Sequence, residues 1–135
     1  MTSGWLVADT DLIIDFLRGR GTGAALVPGW LQTRRLRLSV VTLFELRSGF
    51  DWAAREGRIE SLFLGGPIDF DRRAALEAGA IDSDLRRSGN RIGVADVQQA
   101  GICRSRGLPL ATRNTRHFER IDGLELIDLD EETGH

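Results

Sequence analysis

Trp5-Leu-Val-Ala-Asp-Thr-Asp-Leu-Ile-Ile-Asp-Phe-Leu17 is the stretch that decides the fold class. Its first four residues form a short apolar run that ends at Asp9, as a buried strand does. From Thr10 to Leu17 the spacing turns helical. Leu12, Ile13, Phe16 and Leu17 share one face, and Asp11 and Asp15, four apart, lie on another. Gly19, Gly21 and Gly23 punctuate the exit. A strand that runs directly into an amphipathic helix is the opening of an alternating α/β chain.

The rest of the sequence continues the alternation. A helix is expected from Ala24 to Thr33 and a strand from Leu36 to Val41. Thr42 then stands as a helix N-cap, with Glu45 three residues on in capping-box spacing. That helix is expected to run past Trp52 towards Glu56, and a short one to cover Arg58 to Leu64 before Gly65-Gly-Pro67. Asp71 to Arg87 is helical and stops near Ser88-Gly-Asn90. Asp96 opens a helix closed by Gly107, Leu108 to Ala111 is a strand, and Leu124 to Leu129 a final one. The polar tail, Asp130 to His135, is expected to fray. Strands separated by helices predict a parallel sheet flanked by helices on both faces.

Residues 1–135 suit one domain, with no repeat, low-complexity tract or linker to divide it. No apolar run approaches the roughly 20 residues that span a bilayer. The N-terminus lacks the basic stretch and cleavage site of a signal peptide, so the expected location is cytoplasmic. Cys103 is alone, which excludes an internal disulfide and any Cys/His zinc cluster; it reads as a small apolar filler on a helix. Only His117 and His135 carry imidazole, which leaves no basis for a Ser/His/Asp hydrolase. All 18 basic residues are arginine and the net charge is -2. Any nucleic acid must therefore be held by a local arginine patch rather than by bulk charge.

In open parallel sheets, ligands bind beyond the carboxyl ends of the strands. Asp9 follows the first strand, Glu45 lies one turn into the helix after the second, Asp96 begins a later helix, and Asn114 follows the strand ending at Ala111. Three acids and an amide can thus converge on one edge. Glu45 sits within Leu43-Phe-Glu-Leu46, and clustered carboxylates in apolar surroundings call for a cation. Oxygen donors without Cys or His favour a hard ion, Mg²⁺ or Mn²⁺. Each acid also has a plain structural use: Asp96 as a helix cap, Glu45 as the partner of Thr42 in a capping box, Asp9 as a turn residue. Spacing alone leaves both readings open.

Four motifs in order add a resemblance. Val7-Ala-Asp-Thr-Asp11 with its helix, Ser39-Val-Val-Thr-Leu-Phe-Glu-Leu-Arg-Ser-Gly49, Ile92-Gly-Val-Ala-Asp96, and Gly107-Leu-Pro-Leu-Ala-Thr-Arg-Asn-Thr-Arg-His-Phe118 together resemble the PIN-domain ribonucleases of the VapC type, toxins of VapBC toxin–antitoxin pairs. The resemblance covers nearly the whole chain. It implies a five-stranded parallel sheet and a metal-dependent endoribonuclease. Asp9, Glu45 and Asp96 would hold the ion, Asn114 would join the catalytic group, and Thr10 and Asp11 would support them by hydrogen bonds. Water activated beside the ion would attack an RNA phosphodiester in line.

The same resemblance implies a VapB-like antitoxin, a homodimer, and a hetero-oligomer of toxin with antitoxin. The antitoxin tail would direct an arginine into the acidic pocket, and Trp30, Phe50 and Trp52 either offer it apolar surface or are ordinary core residues. Arg113 and Arg116 flank the pocket mouth, where they contact RNA phosphate or are merely solvated. His117 reads as a surface or loop residue rather than a general base.

This sequence departs from the family pattern at three places. Asp11 stands where Asn or Ser is commoner, and Gln98-Gln-Ala-Gly101 replaces a small, apolar run. Asn114 stands where many relatives have a fourth acid, so one ion is expected to bind firmly and a second only with RNA present. Two other readings compete. A haloacid-dehalogenase-like phosphatase also begins with Asp-Thr-Asp after a strand but needs a lysine, which this chain lacks; response-regulator receivers fail likewise. A PIN-like binding module without catalysis would tolerate Asp9→Asn. Gly19-Arg-Gly-Thr-Gly23 follows a helix, not a strand, so it is no dinucleotide loop.

Overall fold

The computed structural model describes residues 4–49, 52–63 and 65–133. At its centre is β1 (Leu6–Ala8), whose three residues are all fully buried. It pairs in parallel with β2 (Leu36–Arg37) on one side and β3 (Leu110–Ala111) on the other, giving the order β2-β1-β3. The pleat sends alternate side chains to opposite faces. Val7 enters a core built with Ala74, Ile81, Ala100, Ile102 and Phe118. Leu6 and Ala8 enter a second core with Leu12, Val27, Trp30, Leu46 and Ile59. Helices on both faces follow from a strand apolar on both sides.

The first core is roofed by α5 (Arg72–Arg87) and α6 (Val94–Arg106). The second is roofed by α1 (Thr10–Arg18), α2 (Gly21–Gln32) and α4 (Trp52–Ser61), while α3 (Val40–Gly49) gives Val41 to one core and Leu46 to the other. Both helix pairs close on a glycine. A Cβ on Gly23 would stand 1.8 Å from the Leu12 carbonyl oxygen, and one on Gly101 would stand 2.7 Å from that of Ala74.

The sheet is shorter than five full strands. Among the described residues the ladder has three; the outer two positions are single parallel bridges, Ser39 to Ile68 and Leu110 to Leu126. Their backbone bonds are nonetheless made, with Val40 N–H donating to the Ile68 carbonyl and Ile127 N–H to that of Leu110, each at 2.9 Å. The apolar segment Leu124 to Leu129 thus reaches the sheet edge and pairs at one residue only.

Helix starts differ from expectation in ways that matter for the site. α3 begins at Val40, so Thr42 lies inside it, and Ser39 Oγ accepts from Thr42 N–H at 3.4 Å. Glu45 is freed from a capping box. Asp96 is in the first turn of α6, with Gly93 at the cap position. Helix resumes at Trp52 as α4, which runs to Ser61, so one helix covers both Trp52 to Glu56 and the start of the stretch expected at Arg58; residues 50, 51 and 64 lie outside the described residues. A one-turn helix, α7 (Thr115–Phe118), follows β3.

The tail up to Thr133 is helical rather than extended. It forms α8 (Leu129–Thr133), and Glu132 accepts from Trp30 Nε1 at 2.8 Å and from Arg35 at 2.9 Å. Trp30 is therefore core, 3% exposed, and is not a partner surface. Trp52 is half-buried, with Arg47 over its ring and its Nε1 donating to Glu56; Phe50 lies outside the described residues. Among the described residues, the large apolar side chains that do face solvent are Phe44, Leu76 and Val94. No described helix is long and apolar enough to cross a membrane.

Candidate metal centre

Asp9 ends β1 and caps α1. Its Oδ1 accepts from Thr10 N–H at 2.9 Å, and its Oδ2 accepts from Thr112 Oγ1 at 2.9 Å. The Thr112 hydroxyl in turn accepts from Asn114 N–H at 3.0 Å, which ties the end of β3 to the end of β1. Asp9 is 9% exposed, and burial above all, then repulsion from Asp11 and Asp96, lifts its carboxyl pKa to about 7 despite these donors.

Glu45, half-buried on α3, reaches α1: Thr10 Oγ1 donates to its Oε1 at 2.6 Å. Thr10 also meets Thr42 Oγ1 at 3.0 Å, and Thr42 accepts from Gln99 Nε2 at 3.2 Å. Ser39 Oγ donates to Gln99 Oε1. Asp96 Oδ2 lies 2.9 Å from His117 Nδ1, and Asn114 Nδ2 lies 3.1 Å from the same nitrogen. Asn114 and His117 are exposed and α7 holds them beside Asp96.

Asp11 is held between opposing influences. Burial raises its pKa and Arg113 lowers it, with a net upward shift. Its Oδ1 is shielded from solvent and has no hydrogen-bond partner. Arg113 is exposed, with Nε 3.5 Å from Asp11 Oδ2 and Nη2 3.4 Å from Asp15 Oδ1. Arg116 is exposed on α7.

The structure thus places Asp9, Thr10, Asp11, Glu45, Asp96, Arg113 and Asn114 at the carboxyl end of the sheet. It links Asp9 to Asn114 through Thr112, and Glu45 to α1 through Thr10. Among the described residues no three acids or imidazoles are drawn close enough to form a finished cage, since Glu45 is held by Thr10 and Asp96 by His117. The donor set nevertheless fits a hard divalent ion. It is all oxygen apart from the His117 imidazole, it carries a carboxyl raised towards neutrality first by burial and then by the charge of Asp11, and one shielded carboxylate oxygen is unpartnered.

Sequence reading gave no role to Thr112 and Ser39, whose only signal was a hydroxyl next to a strand end, and it took Thr42 for a helix cap. It placed His117 on the surface, where it is, without seeing that its nitrogen reaches Asp96. Gln99 was visible only as an oddity.

Known proteins give the context. The PIN domain family matches residues 6–124. A tRNA(fMet)-specific endonuclease VapC from Salmonella typhimurium is 38% identical over 106 residues, which are 73% of this chain and 78% of that protein. Ribonuclease VapC5 from Mycobacterium tuberculosis is 31% identical over 130 residues, 91% and 92% of the two chains. The fold is similar to that in a DNA-bound VapBC structure from Salmonella typhimurium, with a TM-score of 0.79, 29% identity, and coverage of 93% of this chain and 98% of that one.

Proposed function

The chain belongs to the PIN-domain family as a VapC-type ribonuclease, the toxin of a toxin–antitoxin pair, and on that premise we propose that Asp9, Glu45 and Asp96 hold a divalent ion at its catalytic centre. The observation that carries the site is Asp9. A carboxylate so deeply buried beside Asp11 and Asp96 leaves negative charge that the surrounding side chains do not balance.

Mg²⁺ or Mn²⁺ bound there supplies positive charge for the phosphodiester and makes water a better nucleophile. The chain's own residues do the positioning. Thr10 N–H and Thr112 Oγ1 fix both oxygens of Asp9, Thr10 Oγ1 fixes one oxygen of Glu45, and His117 holds Asp96. Asn114, one residue from Arg113 and linked to Asp9 through Thr112, adds an amide without charge. A pocket with one charge fewer than a four-acid site holds one ion firmly and recruits a second with substrate phosphate. Arg116, exposed on α7, offers a phosphate contact.

The partner is a VapB-type antitoxin, as in the VapBC structure that this fold resembles, and the free toxin is proposed to be a homodimer. The basic side chain expected from the antitoxin answers the same unbalanced charge. The location follows the substrate and is cytoplasmic.

Incubation of the purified protein with tRNA, rRNA and mRNA fragments tests this reading, in Mg²⁺, Mn²⁺ or EDTA. Initiator tRNA heads the panel because the Salmonella relative is named for it. Cleavage is expected only with the metals and is lost in Asp96→Ala. Full cleavage by a folded Asp96→Ala protein, or cleavage in EDTA, overturns it.

A further inference from the structure

We infer that Gln99 is a positioning residue for Glu45, acting through a one-way chain of buried hydrogen bonds; this rests on the metal-centre reading above. Ser39, Gln99 and Thr42 are each no more than 1% exposed, and Thr10 is 7% exposed. The direction of every bond is fixed by chemistry. A carboxylate only accepts, so Thr10 spends its single hydroxyl hydrogen on Glu45 Oε1. The bond between Thr10 and Thr42 must then be donated by Thr42. Thr42, its hydrogen used, accepts from the Gln99 amide, and the amide oxygen accepts from Ser39. All four donors point the same way and the chain ends on Glu45.

Such chains strengthen bond by bond, because each donor polarises the next. Without Gln99 the Thr42 hydroxyl is free to rotate towards a backbone carbonyl, and Thr10 loses the partner that keeps its own hydrogen aimed at Glu45. Glu45 is the only proposed ligand on a long, three-torsion side chain whose visible support is this chain. The chain also gives a reason for a glutamine on the mainly apolar buried face of α6, where Gln99 lies among Val97, Ala100, Ile102 and Cys103. An apolar residue there would leave Ser39 and Thr42 buried with fewer partners.

The test uses the full chain. Mn²⁺ affinity is measured by calorimetry for wild type, Gln99→Met, Thr42→Val and Thr42→Ser, each checked for folding by thermal melting. Gln99→Met and Thr42→Val are expected to bind Mn²⁺ roughly 10- to 100-fold more weakly, the usual effect of losing an outer-shell partner. Thr42→Ser, which keeps the hydroxyl, restores binding. The Gln99→Met/Thr42→Val double variant binds no worse than either single one, since both cut the same chain. For RNA cleavage kcat falls while KM holds. If Gln99→Met fails to fold, Thr42→Val against Thr42→Ser decides alone. Wild-type Mn²⁺ affinity in a folded Gln99→Met or Thr42→Val protein overturns the role of Gln99 and leaves the metal centre standing. No Mn²⁺ binding by wild type overturns both.

Discussion

The two ends of the central sheet treat charge in opposite ways. At the amino ends of the strands Glu132 accepts from both Trp30 and Arg35, and Arg37 lies 4.5 Å over the ring of Trp5. Trp5, Trp30 and Arg37 border a recess of about 670 Å³ that Leu36 and Leu62 also line. At the carboxyl ends, Asp9 is buried with its pKa pushed to about 7, and Asp11 keeps an unpartnered oxygen. One end spends its polar groups on holding the chain together. The other keeps unbalanced charge, which works against stability and suits it to bind something positive.

The sharpest way to break this contrast is Asp9→Asn. RNA cleavage is expected to fall by at least about 1000-fold, as when a ligand to a catalytic metal is lost. The metal-free protein is expected to melt higher at pH 8, because the substitution removes a buried charge and keeps the shape. Scanning calorimetry and a cleavage assay on the same preparation check both; unchanged cleavage sinks the assignment, and a lower melting point sinks the claim of stored repulsion.

Gly23→Ala tests the scaffold between the two ends. Its Cβ meets backbone, the Leu12 carbonyl oxygen at 1.8 Å, so α1 and α2 must separate. A loss of about 3 kcal/mol in urea unfolding is expected, at the upper end for overpacking. A loss below about 1 kcal/mol would show that the helix pair yields more easily than close packing implies.

The third prediction is a pH dependence. Between pH 3.8 and about 7 the folded chain holds a proton on Asp9 that the unfolded chain has released. This group's contribution to stability is therefore fully present below about pH 4 and is lost as pH rises through 7. Metal-free wild type should lose on the order of 3 kcal/mol relative to Asp9→Asn between pH 4 and pH 8. Mn²⁺ should restore stability at pH 8. Parallel pH profiles for the two proteins would refute the shift.

The smallest effect belongs to the other end. Glu132→Ala removes the acceptor for Trp30 and Arg35 and is expected to lower stability by about 1–2 kcal/mol, the scale of partly buried hydrogen bonds to a charged group. Cleavage of RNA by the folded protein should be unchanged; a large loss of cleavage would mean that the two ends are coupled.

What the sequence made legible follows from range. Asp9, Glu45 and Asp96 were readable because strand ends and helix starts are local patterns, and a parallel sheet puts them on one edge. The apolar face of α1 was readable for the same reason, as was the extent of α5. The long-range pairings were not. Thr42 looked like a cap because its neighbours allow one; Glu45 is instead taken by Thr10, 35 residues away. Glu132 looked like part of a loose tail, and only a partner 102 residues distant, Trp30, fixes it. Gln99 broke a pattern whose reason lies on two other elements.

The outer positions of the sheet carry one more consequence. A long free strand edge invites a second chain to add itself by backbone pairing, whether as a ligand or as an aggregate. Here the ladder is only two or three residues deep, and beyond it each flank is met by a single bridge at Ile68 or Leu126. A partner arriving at either flank finds little backbone to zip onto. A partner that docks at these flanks must therefore be held through side chains rather than by strand addition.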